Sequence, residues 1–288
     1  MPAVRYEAPR SIEQAISLLR ADPGAAILAG GTDLLVQCRA GVKRPTAFVD
    51  VKQIPELVGI TIDEAGLTLG AATCAADICE HREVRRLWPG LVDAAHLIGS
   101  TQIQGRGSIG GNLCNASPAA DTTCALIVNR AECVIAGPRG ERLVPVEEFC
   151  TGPGRTLLGR DELLVALRVP RPLARTADAY LRLIPRSEMD IAVASAGASL
   201  TIDQGGVCTR ARVAIGAVGP IGLLVPEAAE AVVGSRLDPA SLQRAAEAAS
   251  GAARPIDDKR GTIAYRRKVA GVLTSRALGI AFTRAKER

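Results

Sequence analysis

The segment Pro170-Arg171-Pro172 constrains what this chain can fold into more than any other. Proline lacks an amide donor and fixes its own φ, and the residue before it is pushed out of the helical region. Two prolines around one arginine therefore stop both a helix and a central strand. Ahead of this break the pattern is mixed. Ser11 caps SIEQAISLLR, with Gln14 completing a capping-box pattern and Ile12, Ala15, Ile16 and Leu19 on one helical face. The apolar run AAILA (25–29) ends at Gly30-Gly31, and a helix follows from Thr32 as cap to Gly41 at its C-terminal turn. TAFVDV (46–51) reads as a strand, so residues 1–52 form a small unit of helix, strand, helix, strand.

The rhythm then changes. VGITI and LTLGA flank the turn Glu64-Ala65-Gly66 as an antiparallel hairpin, and helical stretches follow at roughly 73–81 and 83–97. A loop of unusual composition runs from Gly99 to Asp121. Strands are expected in ECVIAG, from Arg142 to Val146, and in LLVALRV (163–169). Beyond the prolines come two strand-like runs, AVASAGASLTI (192–202) and ARVAIGAV (211–218), then helices near 227–234, 240–250 and 261–280. This order predicts an α+β chain of two domains.

Composition removes several function classes. The 288 residues are 48% hydrophobic but hold only seven aromatics, so the core is aliphatic and no stacking platform for single-stranded nucleic acid can be assembled. No apolar run reaches the roughly 18 residues of a membrane span, and the start MPAVRYEAPR lacks a signal-peptide core, which makes a cytoplasmic address the expectation. The eight cysteines, with no CxxC among them, are expected as reduced thiols serving mostly as packing. The net charge of +5 is concentrated from Arg254 onward, where ten Lys or Arg, Arg254 included, stand against Asp257, Asp258 and Glu287. A solvated helix face that includes Arg266-Arg267-Lys268 is the first reading, and a docking surface for an acidic partner the second.

Two glycine segments carry the chemistry. In Ala29-Gly30-Gly31-Thr32-Asp33-Leu34 glycines let the backbone approach a ligand, and free amides with the Thr32 hydroxyl suit a phosphate oxygen. A tight strand-to-helix turn with Thr32 only as its cap is the competing reading. The second runs from Gly105 to Asp121. Its GRGSIG formally matches G-x-G-x-x-G, but a Rossmann turn needs a preceding strand and a helix starting inside the motif, and Gly110-Gly111-Asn112 and Pro118 argue against that helix. What is expected instead is a long functional loop.

AGGTDLL (29–35), SIGGNLCNASPAAD (108–121), GPGRTLL (152–158), ELLVALRVP (162–170), RSEMDIAVASAG (186–197) and IDDKRGTIAYRRKVAGVLTSRAL (256–278) occur in this order. Together they resemble the FAD-binding medium subunit of the molybdenum hydroxylases, the xanthine dehydrogenase and carbon monoxide dehydrogenase family. The resemblance implies a PCMH-type FAD-binding domain over 1–172, with subdomains of about 1–55 and 56–172 and the flavin between them. It further implies a C-terminal domain over 173–288, an antiparallel sheet plus three helices. By position, Ile27, Leu28, Ala29, Gly30, Gly31, Thr32, Asp33 and Leu34 would wrap the diphosphate and ribityl part of FAD. Ser108, Ile109, Gly110, Gly111 and Asn112 would form the opposing loop, through backbone amides and the side chains of Ser108 and Asn112. Asp121 would serve the adenosine end, Ile98 and Leu164 would be apolar walls, and Arg182, where relatives often carry Lys, would lie near the isoalloxazine.

The same resemblance implies an electron-transfer subunit of an oxidoreductase. Its partners would be a large molybdopterin-containing subunit and a small [2Fe–2S] subunit, with NAD or a quinone as acceptor and no metal on this chain. Two alternatives stay open: a stand-alone FAD-dependent oxidoreductase acting on a small molecule, and an assembly module without cofactor. His81 and His96 fall in helical stretches and are expected to pack or face solvent rather than build a catalytic triad. Arg186, Glu188 and Asp190 are expected as an ion-pair network.

Overall fold

The computed structural model describes residues 4–187 and 189–288. The chain begins with β1 (Arg5–Glu7), α1 (Ile12–Ala21), β2 (Ala26–Leu28), α2 (Leu34–Arg39) and β3 (Ala47–Asp50). The three strands are parallel, in the order β1-β3-β2, so each strand-to-strand passage needs a crossover, and α1 and α2 supply them. Ser11 caps α1 by accepting from the Gln14 amide, while the Gln14 side chain accepts from the Arg10 amide at 2.9 Å. The residue in the cap position of α2 is Asp33 rather than Thr32, and its side chain makes no capping bond. Gly41 closes that helix with φ of +73°.

The second unit holds β4 (Ile60–Ile62), β5 (Gly66–Gly70), α3 (Ala75–Glu80), α4 (Arg82–Leu87), α5 (Pro89–His96), α6 (Thr101–Gln104), α7 (Ile109–Cys114) and α8 (Asp121–Val128). It ends with β6 (Glu132–Gly137), β7 (Gly140–Pro145), α9 (Val146–Phe149), the short pair β8 (Cys150–Gly152) and β9 (Arg155–Thr156), and β10 (Leu163–Pro170). Its antiparallel sheet has the order β4-β5-β10-β6-β7. One sheet face meets α1 and the first unit through Leu19, Val49, Ile54 and Leu57. The other is covered by α3, α5 and α8 around Trp88, Leu91, Leu113 and Leu126. The expected helix over 83–97 is split at the buried Trp88, because Pro89 cannot donate to the preceding turn.

The third unit is a four-stranded antiparallel sheet of β11 (Thr176–Leu183), β12 (Ala194–Ile202), β13 (Cys208–Gly216) and β14 (Leu223–Leu224). It is followed by α10 (Pro226–Glu230), α11 (Pro239–Ala252) and α12 (Ile263–Lys286). Strand β12 reads ASAGASLTI because it is covered on both sides, by α12 and by α8. A Cβ on Gly197 would stand 3.0 Å from the Cys124 carbonyl oxygen, so only the smallest residues fit under α8.

Strand β11 carries no alternating apolar signal because a carboxylate is buried in its first half. Asp178 is 1% exposed and accepts from the Gly90 amide at 3.0 Å and from Asn129 Nδ2 at 2.6 Å. Burial pushes its carboxyl above the usual range, against the pull of those hydrogen bonds. Removing it in Asp178→Ala strands both donors in the interior, and thermal denaturation of the apoprotein should show a loss of about 2–3 kcal/mol.

The basic C-terminus is not simply a solvated face. Arg266 is buried, donating to the Val193 carbonyl at 2.8 Å and pairing with Asp258 at 2.6 Å, because α12 turns that residue onto the sheet. Arg267 and Lys268 are exposed. Arg284 forks onto Asp93 of α5 at 2.7 and 3.1 Å, so part of the charge ties the last helix to the second unit. Arg186 pairs with Asp190 at 3.2 Å, whereas Glu188 lies outside the described residues.

Candidate functional site

The two glycine segments, some seventy residues apart in sequence, touch. Gly30 follows β2 at the carboxyl edge of the parallel strands, the edge at which open α/β sheets bind ligands. A Cβ at Gly30 would stand 1.9 Å from the Arg106 carbonyl oxygen, so only glycine permits this approach. Gly110 is equally close to β5's exit, where an added Cβ would meet the Ala71 carbonyl oxygen at 2.5 Å. Beside this contact lies a cleft of about 400 Å³, within the range of cofactor sites.

The segment 108–114 corrects an expectation. It contains the short helix α7 despite Gly110 and Gly111, because Ser108 caps it by accepting from the Gly111 amide at 3.2 Å. The Rossmann reading fails for a different reason: the residues before the motif form α6, and the neighbouring sheet is antiparallel.

Hydrogen-bond accounting separates the two segments. Among the described residues, the backbone N–H groups of Gly30, Gly31, Thr32 and Asp33 donate to no protein acceptor. Gly31 has φ of +77°, the left-handed turn that gathers successive amides into an anion-binding nest. The second segment spends its amides internally: Ile109 donates to Thr73, Gly110 to Ala71 and Asn112 to Ser108. Gly111 donates to the Ser108 hydroxyl, so the amides of Ile109, Gly110, Gly111 and Asn112 all have protein acceptors. What remains available is polar side chains. The Ser108 hydroxyl keeps its own hydrogen, and Asn112 engages its Oδ1 with Thr122 at 2.7 Å, which leaves its amide nitrogen to donate.

Of the expected residues, Ile27, Ala29, Gly30, Gly31, Thr32, Asp33, Leu34, Ile98, Ser108, Gly110, Gly111, Asn112 and Leu164 line the cleft. Ile109 stands behind it in the core, and the half-buried Leu28 is also outside the lining, as are Asp121 and Arg182. The last two occupy one place: Arg182 Nη1 lies 2.6 Å from Asp121 Oδ2, and Tyr180 donates to Asp121 Oδ1 at 2.9 Å. Burial pushes the Asp121 carboxyl up, while Arg182 and Tyr180 pull it down. The two side chains thus meet at one place in the structure. The pair backs the Asn112 end of the cleft, since Asp121 adjoins Thr122, the partner of Asn112.

Sequence reasoning missed Lys43, Asn115, Leu158 and Arg160, which also line the cleft. Asn115 and Leu158 lie within the quoted segments 108–121 and 152–158, whereas Lys43 and Arg160 belong to no motif and arrive there through chain folding. The site offers donors, two cations (Lys43 and Arg160), two carboxylates (Asp33 and Glu162) and aliphatic walls. Its one thiol, Cys114, is pushed up to about 12 by burial, with Cys150 nearby adding to the shift, and stays protonated at neutral pH. His81 accepts from the Val84 amide as a helix cap, and neither histidine lines the cleft. All eight cysteines are free, and no group of three or more His, Cys, Asp or Glu among the described residues could hold a metal ion. No helix among them is long and apolar enough to cross a membrane.

Comparison with known proteins gives consistent results. Residues 2–172 match the family described as FAD binding domain in molybdopterin dehydrogenase, and residues 179–281 match the CO dehydrogenase flavoprotein C-terminal domain. The carbon monoxide dehydrogenase medium chain of Hydrogenophaga pseudoflava is 33% identical over 98% of both chains. The xanthine dehydrogenase FAD-binding subunit of Escherichia coli O157:H7 is 31% identical over 97% of this chain and 96% of that one. A solved chain of the Hydrogenophaga pseudoflava carbon monoxide dehydrogenase superposes with a TM-score of 0.94 at 34% identity, covering 98% of each.

Proposed function

The chain belongs to the FAD-binding subunits of the molybdopterin dehydrogenase family, with FAD as its cofactor, and from that premise we propose a specific place in an electron path. It is the FAD-carrying electron-transfer subunit of a heteromeric molybdenum hydroxylase. It takes electrons from [2Fe–2S] clusters on a small partner and hands them to an external acceptor such as NAD or a quinone. The substrate is oxidised on a large molybdopterin-containing partner. Residues 1–172 are the FAD-binding domain and 173–288 the C-terminal domain in this reading.

The observation that carries it is the run of unpartnered amides from Gly30 to Asp33, facing Ser108 and Asn112 across the cleft. A diphosphate has the acceptor oxygens to satisfy unpartnered N–H groups, and Lys43 and Arg160 bring two cations to a lining that also holds Asp33 and Glu162. Ile27, Ile98, Leu158 and Leu164 give an aliphatic lining suited to the flat apolar part of the same molecule. When bound, the flavin supplies one-electron and hydride chemistry. The chain binds and orients it and needs no general base or nucleophile of its own. Asp121 and Arg182 act as one unit behind Asn112.

The purified chain is expected to be yellow and to hold close to one FAD by absorbance. It is also expected to copurify from its native host with a large molybdenum-bearing chain and a small iron–sulfur chain. A colourless chain that takes up no added FAD overturns the reading. Turnover of a small substrate by the isolated, flavin-loaded chain supports the stand-alone oxidoreductase instead.

A further inference from the structure

The turn that offers the four free amides is held from behind by a side-chain clamp. Lys52 follows β3 and reaches across the end of β2, where its Nζ donates to the Ala29 carbonyl at 2.8 Å. The same ammonium pairs with Asp50 Oδ1 at 2.6 Å, and the Lys52 amide donates to that oxygen at 3.1 Å. The second Asp50 oxygen accepts from the Tyr6 hydroxyl at 2.5 Å. Asp50 and Tyr6 sit on the central strand and on an edge strand of the three-stranded sheet, so the clamp is anchored to regular structure rather than to loop. Burial by itself would raise the Asp50 carboxyl, but the hydrogen bonds from Lys52 and Tyr6 outweigh it and hold it below its usual value, ionised at neutral pH.

The consequence lies in the geometry of one peptide unit. Among the described residues every peptide bond is trans, so the Ala29 carbonyl and the Gly30 N–H point in opposite directions from the same rigid plane. Gripping the carbonyl on the sheet side aims the Gly30 N–H at the cleft, and Gly30 lines the cleft whereas Lys52 does not. Gly30 has no side chain to resist rotation, and a flip of this plane would turn the first donor of the nest away from the ligand.

We infer that Lys52, braced by Asp50 and Tyr6, is a positioning residue that presets the Ala29–Gly30 peptide for a bound diphosphate. This rests on the FAD reading above and assigns a role to a residue that makes no contact with the cofactor. Preorganisation of this kind acts on affinity by sparing the ligand the cost of ordering its donors.

The test measures FAD affinity of the full-length apoprotein by quenching of flavin fluorescence, together with the 31P spectrum of bound FAD. Lys52→Met should raise the FAD Kd by about 10- to 100-fold, the range for hydrogen bonds to charged groups. It should also shift at least one of the diphosphate resonances. Lys52→Gln keeps a neutral donor and should give a smaller loss, readable even if the methionine variant does not fold. Lys52→Arg keeps a cation within reach of Ala29 and Asp50 and should restore the Kd to within about threefold. A methionine or glutamine variant with wild-type Kd and unmoved 31P resonances overturns the clamp, as does an arginine variant as weak as the glutamine one. If the wild-type chain binds no FAD at all, it is the functional reading that fails, and the two failures are thereby told apart.

Discussion

Gly111→Leu removes FAD from the protein while leaving the apoprotein close to wild-type stability. A Cβ added at Gly111 meets only the Ser108 hydroxyl oxygen, at 2.7 Å, and that hydroxyl can rotate away at the cost of its cap on α7. The rest of the leucine has the cleft to enter, because Gly111 lies on its lining. Thermal unfolding of the apoprotein should therefore move by about 1 kcal/mol, the cost of one lost cap, while flavin absorbance falls to background. Gly30→Ala makes the contrasting case. Its Cβ meets backbone, 1.9 Å from the Arg106 oxygen, and neither segment can yield without parting from the other. That variant should lose both flavin and stability, by about 1–3 kcal/mol as overpacked sites do. The pair separates occupation of the cleft from collapse of its wall. Retained flavin in Gly111→Leu would remove the second segment from the site.

Which of these features the sequence could disclose follows from the range of the interactions involved. The capping box around Ser11, the glycine at the end of α2 and the β4–β5 hairpin depend on neighbours a few residues apart, and all were legible. The same holds for the glycine turn at Gly30-Gly31, whose cleft position agrees with its composition. Strand β11 was not legible, because Asp178 interrupts its pattern for the sake of partners on α5 and after α8. Helix α7 was hidden by glycines that are there for the approach to Ala71 and for the cleft, not to break a helix. Arg266 read as surface because its acceptors, Val193 and Ala217, lie far away in the chain. Likewise no spacing announces that Lys52 grips Ala29; the contact exists only once β2 and β3 pair in register, Leu28 beside Asp50.

The other large effect belongs to Asp121 and Arg182, whose side chains are 10% and 6% exposed. Asp121→Ala leaves a guanidinium buried among the second and third units with its main partner gone. The cost of an uncompensated buried charge is about 3–5 kcal/mol, enough to threaten folding at 37 °C. Replacing both residues, as Asp121→Leu with Arg182→Met, removes the charge together with its partner and should recover most of that loss. Chemical denaturation of the two apoproteins measures the difference. Flavin binding then decides what the pair is for. Arg182 Nε is buried and has no acceptor in the protein, which is a poor arrangement for an ion pair that serves the fold alone. Contact of the pair with the cofactor predicts that the double variant folds yet binds FAD about tenfold more weakly, the cost of one lost charge-assisted hydrogen bond. A double variant with wild-type stability and wild-type flavin affinity would instead make the pair a device for joining β11 to α8, with Asn112 alone marking that end of the cleft.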